Sequence, residues 1–283
     1  MNIGAHISSA GSFPRAAQNA RKLDLDCVQF FTRNPRGGRQ RSLGEQEVSE
    51  WHRSSARAQL EPVVMHTPYT VNLASERSDV VEFSRRIIVE DLRRCAILQS
   101  PYLVLHPGNC GSADEVHGLD LIIEGLDEVC ERAEESINEG ARPVLELMSG
   151  QGNELGSTLR QMKIILNNVK HPDFILFCVD TCHCFARGYP LDTAGGVERF
   201  VKSFDKVLGL ERLAVLHLND SQHPKSSRRD RHAKLGEGRL GQTGIRAIIN
   251  NPHLKDLPLI MEVPVKEEEE YKEQAKLVRD WVD

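Results

Sequence analysis

Six short apolar runs in this chain each end on a residue that can bind a metal or carry a proton: Val63-Val64-Met65-His66, Leu103-Val104-Leu105-His106, Val144-Leu145-Glu146, Phe177-Cys178-Val179-Asp180, Val215-Leu216-His217 and Leu259-Ile260-Met261-Glu262. Continuous aliphatic runs of this length read as strands buried on both faces, the habit of parallel sheets. Ile3-Gly4-Ala5 and Cys27-Val28-Gln29-Phe30-Phe31 bring the runs to eight. Between them, hydrophobic residues recur at helical spacing: Ile88, Leu92, Cys95 and Ala96; Ile122, Leu126, Val129, Ala133 and Ile137; Leu155, Leu159, Met162 and Leu166; Val197, Phe200, Val201, Phe204 and Leu208. These predict one-faced helices that cover the sheet. Eight strand-then-helix units in 283 residues predict a single-domain α/β fold over residues 1–283, a closed (β/α)8 TIM barrel with its site at the carboxyl ends of the strands. An open doubly wound sheet is the disfavoured alternative, because its ligands gather at one switch point rather than at six strand ends. The stretch from Lys266 through four glutamates to Trp281 predicts a closing outer helix, its acidic start facing the positive end of the dipole.

No apolar stretch approaches membrane-spanning length, and the start Met1-Asn2-Ile3-Gly4-Ala5-His6 lacks the marks of a secretory signal, so a soluble, cytoplasmic protein is expected. The seven cysteines form no paired framework, and Cys27, Cys95, Cys130 and Cys178, in apolar surroundings, read as reduced, buried thiols. Cys182 and Cys184 flank His183, but a lone C-x-C is a weak metal signal and packing is the expected role of both. The formal charge of −5 argues against nucleic-acid binding by net electrostatics. Its distribution matters more: Arg33, Arg36, Arg39 and Arg41 crowd one flexible loop and Lys225, Arg228, Arg229, Arg231 and Lys234 another. Such stretches are of the kind that track a phosphate backbone, although either run taken alone reads as a solvated loop.

Glu146, Asp180 and Glu262 converging on one barrel mouth would repel one another unless cations separate them. With His66, His106 and His217 the donor set is nitrogen and oxygen, which suits Zn²⁺, and also Mn²⁺ or Fe²⁺, better than Mg²⁺ or Ca²⁺. Asp180 and His183 lie three apart and Asp230 and His232 two apart, close enough for each pair to face one metal. Five histidines and four carboxylates exceed the needs of one tetrahedral site, and predict a cluster of two or three metals holding an activated water. A cationic crater between two arginine-rich loops suits a phosphodiester substrate.

The segments Gly4-Ala5-His6-Ile7-Ser8, Phe31-Thr32-Arg33-Asn34-Pro35-Arg36, His66-Thr67-Pro68-Tyr69, Val71-Asn72-Leu73-Ala74, His106-Pro107-Gly108 and Gly150-Gln151-Gly152 carry a family likeness. So do Asp180-Thr181-Cys182-His183-Cys184-Phe185-Ala186-Arg187-Gly188-Tyr189, His217-Leu218-Asn219-Asp220-Ser221, Asp230-Arg231-His232 and Leu235-Gly236-Glu237-Gly238. In this order they resemble the endonuclease IV family of apurinic/apyrimidinic endonucleases, over nearly the whole chain. The resemblance implies a trinuclear zinc centre, with Mn²⁺ compatible at one site, that incises duplex DNA 5′ to an abasic site. The products would be a 3′-hydroxyl and a 5′-deoxyribose phosphate, and blocked 3′ ends would be trimmed by the same centre. Carried over by position, His66 and His106 would bind one zinc and Glu146 would bridge it to a second, held by Asp180, His217 and Glu262. His183, Asp230 and His232 would bind the third. Glu146, Glu262 and His106 are then the candidates for catalysis, Arg36 and Tyr69 for wedges at the lesion, and Arg231 for a further DNA contact. His6, in the family pattern, is expected to hydrogen-bond at the barrel mouth rather than ligate.

The chain departs from the family pattern at Gly37-Gly38, Thr70, Asn109-Cys110 and Leu147-Met148, none of which removes a ligand. Two other readings compete. A metal-dependent sugar isomerase or epimerase on the same barrel would not need the His183, Asp230 and His232 set or the basic loops. A damage-binding protein that has lost catalysis would not need all nine ligand types. A monomer is expected, since no segment reads as an exposed apolar interface.

Overall fold

The computed structural model describes residues 1–37, 40 and 42–283; Gly38, Arg39 and Arg41 of the first basic loop lie outside the described residues. Eight parallel strands close a barrel: β1 (Asn2–His6), β2 (Cys27–Phe31), β3 (Val63–His66), β4 (Tyr102–Leu105), β5 (Arg142–Leu147), β6 (Leu176–Asp180), β7 (Leu213–His217) and β8 (Pro258–Met261). Each pairs with the next in the chain, and Gly4 of β1 stands in register with both Cys27 of β2 and Ile260 of β8, which closes the ring. The fold is the single-domain (β/α)8 barrel that the alternating runs predict.

Alternation along the strands divides the apolar residues into two cores. Cys27, Val64, Val104, Val144, Cys178, Val215 and Ile260, about one per strand, fill the lumen. Their neighbours, among them Val28, Met65, Leu103, Leu145, Phe177, Leu216 and Leu259, face outward into the larger core beneath the helices. Among the described residues ten α-helices supply the cover: α1 (Phe13–Lys22), α2 (Glu45–Ala58), α3 (Ser78–Ile97), α4 (Glu115–Arg132), α5 (Glu134–Asn138), α6 (Leu159–Asn168), α7 (Thr181–Arg187), α8 (Ala194–Leu208), α9 (Gly241–Ile249) and α10 (Glu270–Asp280). Helix α2 carries Trp51, fully buried edge-on to Phe30 at 5.5 Å, with its indole N–H donated to Leu98 O at 2.9 Å.

Three elements differ from the sequence reading. The apolar stripe from Ile122 to Ile137 is broken at Ala133, whose φ of −111° and ψ of 14° leave helical geometry and split α4 from α5. Leu155 belongs to a two-residue strand, Glu154–Leu155, paired antiparallel with Gly108–Asn109, and α6 starts only after Thr158, whose hydroxyl accepts from Gln161 N–H. The closing helix starts at Glu270 rather than at Lys266, because the Glu270 carboxylate folds back onto the backbone N–H groups of Lys266 and Glu267 and also meets Lys234. No helix among the described residues is long and apolar enough to cross a membrane. All seven cysteines are buried and free.

Gly4 leaves no room for a side chain against β2: a Cβ there would stand 2.5 Å from Cys27 O and 2.6 Å from Cys27 Sγ. Gly4→Val is therefore expected to cost about 1–3 kcal/mol or more through overpacking, seen as a lowered midpoint in denaturant unfolding. An unchanged midpoint would mean that the β1–β2 pairing yields freely.

Candidate metal centre

The period of two that fills the lumen also builds the site. Two residues beyond Val64, Val104, Val144, Cys178, Val215 and Ile260 come His66, His106, Glu146, Asp180, His217 and Glu262, so the inward row of each strand ends on a polar side chain. All six gather at the carboxyl mouth around the Glu146 carboxylate, which is 0% exposed. Glu146 Oε2 lies 3.3 Å from His66 Nε2 and 3.2 Å from His106 Nε2, while Oε1 lies 3.1 Å from His183 Nδ1 and 3.3 Å from His217 Nδ1. His217 Nδ1 is also 3.3 Å from Glu262 Oε2 and 3.9 Å from Asp180 Oδ2.

Residues beyond the strands complete the cluster. Asp180 caps α7, where its Oδ1 accepts from His183 N–H at 2.8 Å and so fixes the first turn that carries His183 inward. A hairpin pairing Asp220–Ser221 with His232–Ala233 folds Asp230 and His232 back over the mouth. Asp220 holds the segment after it in place, accepting from the N–H groups of Gly236, Gly238, Leu240 and Gly241. Asp230 Oδ1 then stands 3.2 Å from both His183 Nε2 and His232 Nε2, and the Asp230 N–H is tied to Gln151 Oε1 at 3.1 Å.

All nine sequence candidates thus meet, and their donor atoms sort into three groups, each within 4.8 Å: His66, His106 and Glu146; Glu146, Asp180, His217 and Glu262; and His183, Asp230 and His232. Asp180, Cys182 and His232 make a further overlapping group, although the Cys182 thiol lies 3.7 Å from Arg231 O and burial pushes it up to about 12. The histidines are held from behind. His66 Nδ1 faces Thr67 O at 2.7 Å, His183 Nδ1 faces Leu147 O at 3.1 Å, and His232 Nδ1 faces Glu262 O at 3.1 Å. A ring nitrogen that faces a carbonyl must carry the proton, which leaves Nε2 as the free electron pair. For His183 and His232 that Nε2 is buried with no hydrogen-bond partner and faces a carboxylate oxygen. Two lone pairs turned on an anion fit a cation between them, so the residues present suit a bound divalent ion.

Charge in the cluster is mutually supported. Burial disfavours ionised Glu146 and Glu262, yet the neighbouring imidazoles, His217 foremost, hold both carboxyls well below the usual range. Burial likewise opposes protonation of His183 and His232, but Asp180 and Asp230 outweigh it, and His232 is raised to about 9. Only His66 is pushed down, by its burial.

The DNA-contact candidates sit on the rim. Tyr69 is 65% exposed, with its ring 5.1 Å from Phe31 and 6.1 Å from His106. Its N–H bonds Pro35 O, tying the Tyr69 turn to the loop that carries the exposed Arg36. Arg231 is exposed between two site residues, and its guanidinium returns to Asp230 O. Arg33 corrects the reading of a solvated basic loop: it is buried, with Nη2 on Asp91 Oδ1 at 2.5 Å and Nη1 on Glu90 Oε2 at 3.1 Å. Lys225 and Lys234 also face acids, Asp192 and Glu270, which leaves Arg228, Arg229 and Arg231 as the outward arginines of the second run.

Sequence reasoning missed two buried amides. Asn219 Nδ2 donates to Asp180 Oδ2 at 2.7 Å while its Oδ1 accepts from Glu262 N–H at 2.8 Å. Gln29, on β2, touches Glu262, His6 and His217. Its signal was available, since Gln29 follows Cys27 by the same two residues that separate ligand from lumen on the other strands.

Residues 17–281 match the family model described as a xylose isomerase-like TIM barrel. A protein named "Probable endonuclease 4" from Moorella thermoacetica is 40% identical over 280 residues, covering 99% of this chain and 98% of that one. The chain belongs to the endonuclease IV family. A second member of that name, from Carboxydothermus hydrogenoformans, is 36% identical over 282 residues, with 100% and 98% covered. The crystal structure of endonuclease IV from Thermus thermophilus superposes with a TM-score of 0.87 at 30% identity, over 99% of this chain and 98% of that one. A D-tagatose 3-epimerase-like protein shares the barrel with a TM-score of 0.74 at 19% identity, a likeness of fold alone.

Imidazoles that hold protons at neutral pH must release them when an ion takes their place. Zinc uptake by metal-free protein at pH 7 is expected to release about two or more protons per chain, measured by calorimetry in buffers of different ionisation enthalpy. Because His232, at about 9, is raised, its proton competes with the ion throughout the neutral range, and affinity should climb from pH 6 to pH 9. A pH-independent affinity without proton release would contradict the ligand assignment of these histidines.

Proposed function

We propose that this chain is a zinc-dependent AP endonuclease that hydrolyses the phosphodiester bond 5′ to abasic sites in duplex DNA, leaving 3′-hydroxyl and 5′-deoxyribose phosphate ends. The observation that carries the reading is the grouping of nine ligand atoms into three sets that converge on Glu146, two of whose imidazoles have buried, unpartnered nitrogens. Membership of the endonuclease IV family supports the reaction, and the mixed nitrogen and oxygen donors support Zn²⁺, three per chain, with Mn²⁺ accommodated at one site.

In this assignment His66, His106 and Glu146 would hold one ion; Asp180, His217 and Glu262, together with Glu146, would hold a second; and His183, Asp230 and His232 would hold the third. Bound ions supply Lewis acidity toward the phosphate and lower the pKa of water. The chain's own residues do the rest. Glu146 shares its two oxygens between opposite halves of the cluster and keeps those halves in register. Glu262 is the open acid of its group, 18% exposed beside the fully buried Asp180 and Glu146, which supports it as the group that takes a proton from water. His106, 27% exposed, presents its imidazole edge to an incoming phosphate. Arg36 and Tyr69, on linked turns at the rim, enter the stack where the base is missing, since an abasic nucleotide costs least to turn out. Arg231, Arg228 and Arg229 follow the backbone. The same centre would trim blocked 3′ ends. We assign the activity to a cytoplasmic monomer.

The sugar epimerase reading has no use for the group formed by His183, Asp230 and His232, and the presence of that group supports the nuclease. The test is incision of an end-labelled duplex carrying one abasic analogue, with an undamaged duplex beside it. Zinc-loaded protein should cut immediately 5′ to the lesion and leave a 3′-hydroxyl by mass, and chelation should stop it. Absence of cutting by metal-loaded protein would overturn the proposal. Glu262→Gln is expected to lower incision at least about 100-fold with the fold intact by circular dichroism. Unchanged incision would remove Glu262 from the chemistry.

A further inference from the structure

Gln29 is 0% exposed and spends its whole amide on the metal cluster. Its Nε2 lies 2.7 Å from Glu262 Oε1 and 2.9 Å from His6 Nδ1, and its Oε1 lies 2.9 Å from His217 Nε2. The three partners stand on or just beyond β1, β7 and β8, so one side chain from β2 reaches across the mouth to the far wall of the barrel.

We propose that Gln29 is a positioning residue that selects the metal-binding nitrogen of His217 and orients Glu262, two of the four ligands of one ion. The argument begins with the amide's direction. Glu262 Oε1 can only accept, so the amide group facing it at 2.7 Å must be the NH₂ end. That sets the carbonyl end toward His217 Nε2, which must then be the protonated nitrogen and donate to it. His217 Nδ1 is left to face Glu146 Oε1, Glu262 Oε2 and Asp180 Oδ2, at 3.3, 3.3 and 3.9 Å. Among three carboxylates that nitrogen holds a proton in the metal-free chain and is the one whose lone pair turns to an ion when the ring is neutral. The same amide pins Glu262 Oε1 and thereby leaves Oε2 as the oxygen turned to His217. One neutral side chain therefore sets the tautomer of one ligand and the free oxygen of another, with no added charge. Side chains that orient metal ligands in this way commonly change ion affinity about 10–100-fold when removed.

This inference rests on the reading of Glu146, Asp180, His217 and Glu262 as an ion site. Gln29→Met keeps length and burial but offers neither donor nor acceptor; Gln29→Glu keeps an acceptor for His217 and sets a like charge against Glu262. Each variant and the unaltered chain would be stripped, reloaded with zinc, dialysed, and measured for bound metal by plasma emission and for affinity by competition with a chromogenic chelator. Cobalt-loaded samples add the visible spectrum of the sites. The unaltered chain should hold about three ions. In both variants the zinc content should fall by about one ion per chain, or the weakest site should loosen about 10–100-fold, with an altered cobalt spectrum. The metal-free Gln29→Met chain should melt within a few degrees of the unaltered one. Variants that hold zinc as tightly as the unaltered chain, with the same cobalt spectrum, would overturn the role of Gln29. An unaltered chain that binds no ion would instead overturn the metal-centre reading beneath it.

Discussion

A fully buried carboxylate surrounded by four imidazoles is the constraint from which the rest of the mouth follows. Glu146 cannot shed its charge to water, because no water reaches it, and its only relief is positive charge on the side chains around it. Those side chains come from β3, from β7, from the residue just past β4 and from α7, so neutralising one acid requires that the barrel be closed and α7 be in place. Protons can do this in the metal-free chain. Divalent ions do it better, since each brings two charges and can satisfy several lone pairs at once. The cluster is thus an electrostatic demand as much as a binding site, and the fold is what concentrates that demand at one point.

The barrel makes the demand repeatable. A strand of period two that is apolar toward the lumen and polar two residues later delivers one functional group per strand at the same height. Six of these groups were legible because a His, Asp or Glu stops an aliphatic run abruptly. Gln29 was not picked out, because Val28 and Phe30 on either side of it face the outer core, and a lone amide inside an apolar run reads as part of the strand. The third group was legible only through short motifs, since what brings Asp230 and His232 to His183 is a two-residue hairpin with Asp220–Ser221 and a ring of N–H groups on Asp220. Arg33 was misread for the matching reason. Its charge partner Asp91 lies 58 residues away on α3, and a loop arginine looks solvated until that helix is placed beside it.

Arg33 has a structural consequence for the rim. With Thr32 and Arg33 both bonded to Asp91, the loop after β2 is anchored to α3 before it reaches Arg36. Asp91 is itself raised to about 6 by burial against the pull of Arg33, and the anchor is a buried pair to which Glu90, on the Arg33 side, and Thr32, on the Asp91 side, add further bonds. Removing Arg33 would leave the buried Asp91 without its closest cation, and because the Thr32 N–H also bonds His66 O at 3.3 Å, this network joins the rim loop to the ligand cluster.

The departures from the family pattern gain meaning from the backbone. Leu147 stands beside the central carboxylate, yet what His183 uses is its carbonyl oxygen, while the side chain points into the outer core. At Asn109 main chain and side chain share the work: Asn72 donates its amide to Asn109 O and accepts from Asn109 N–H, while Asn109 Oδ1 accepts from Gly111 N–H at 2.8 Å. Contacts made through N–H and C=O are indifferent to the residue that carries them. A centre whose ligands are held from behind by carbonyls tolerates change at the residues between ligands, and the same logic singles out the exceptions. Gln29 and Asn219 hold ligands through side-chain amides, so at those two positions, unlike Leu147, identity and geometry cannot be separated.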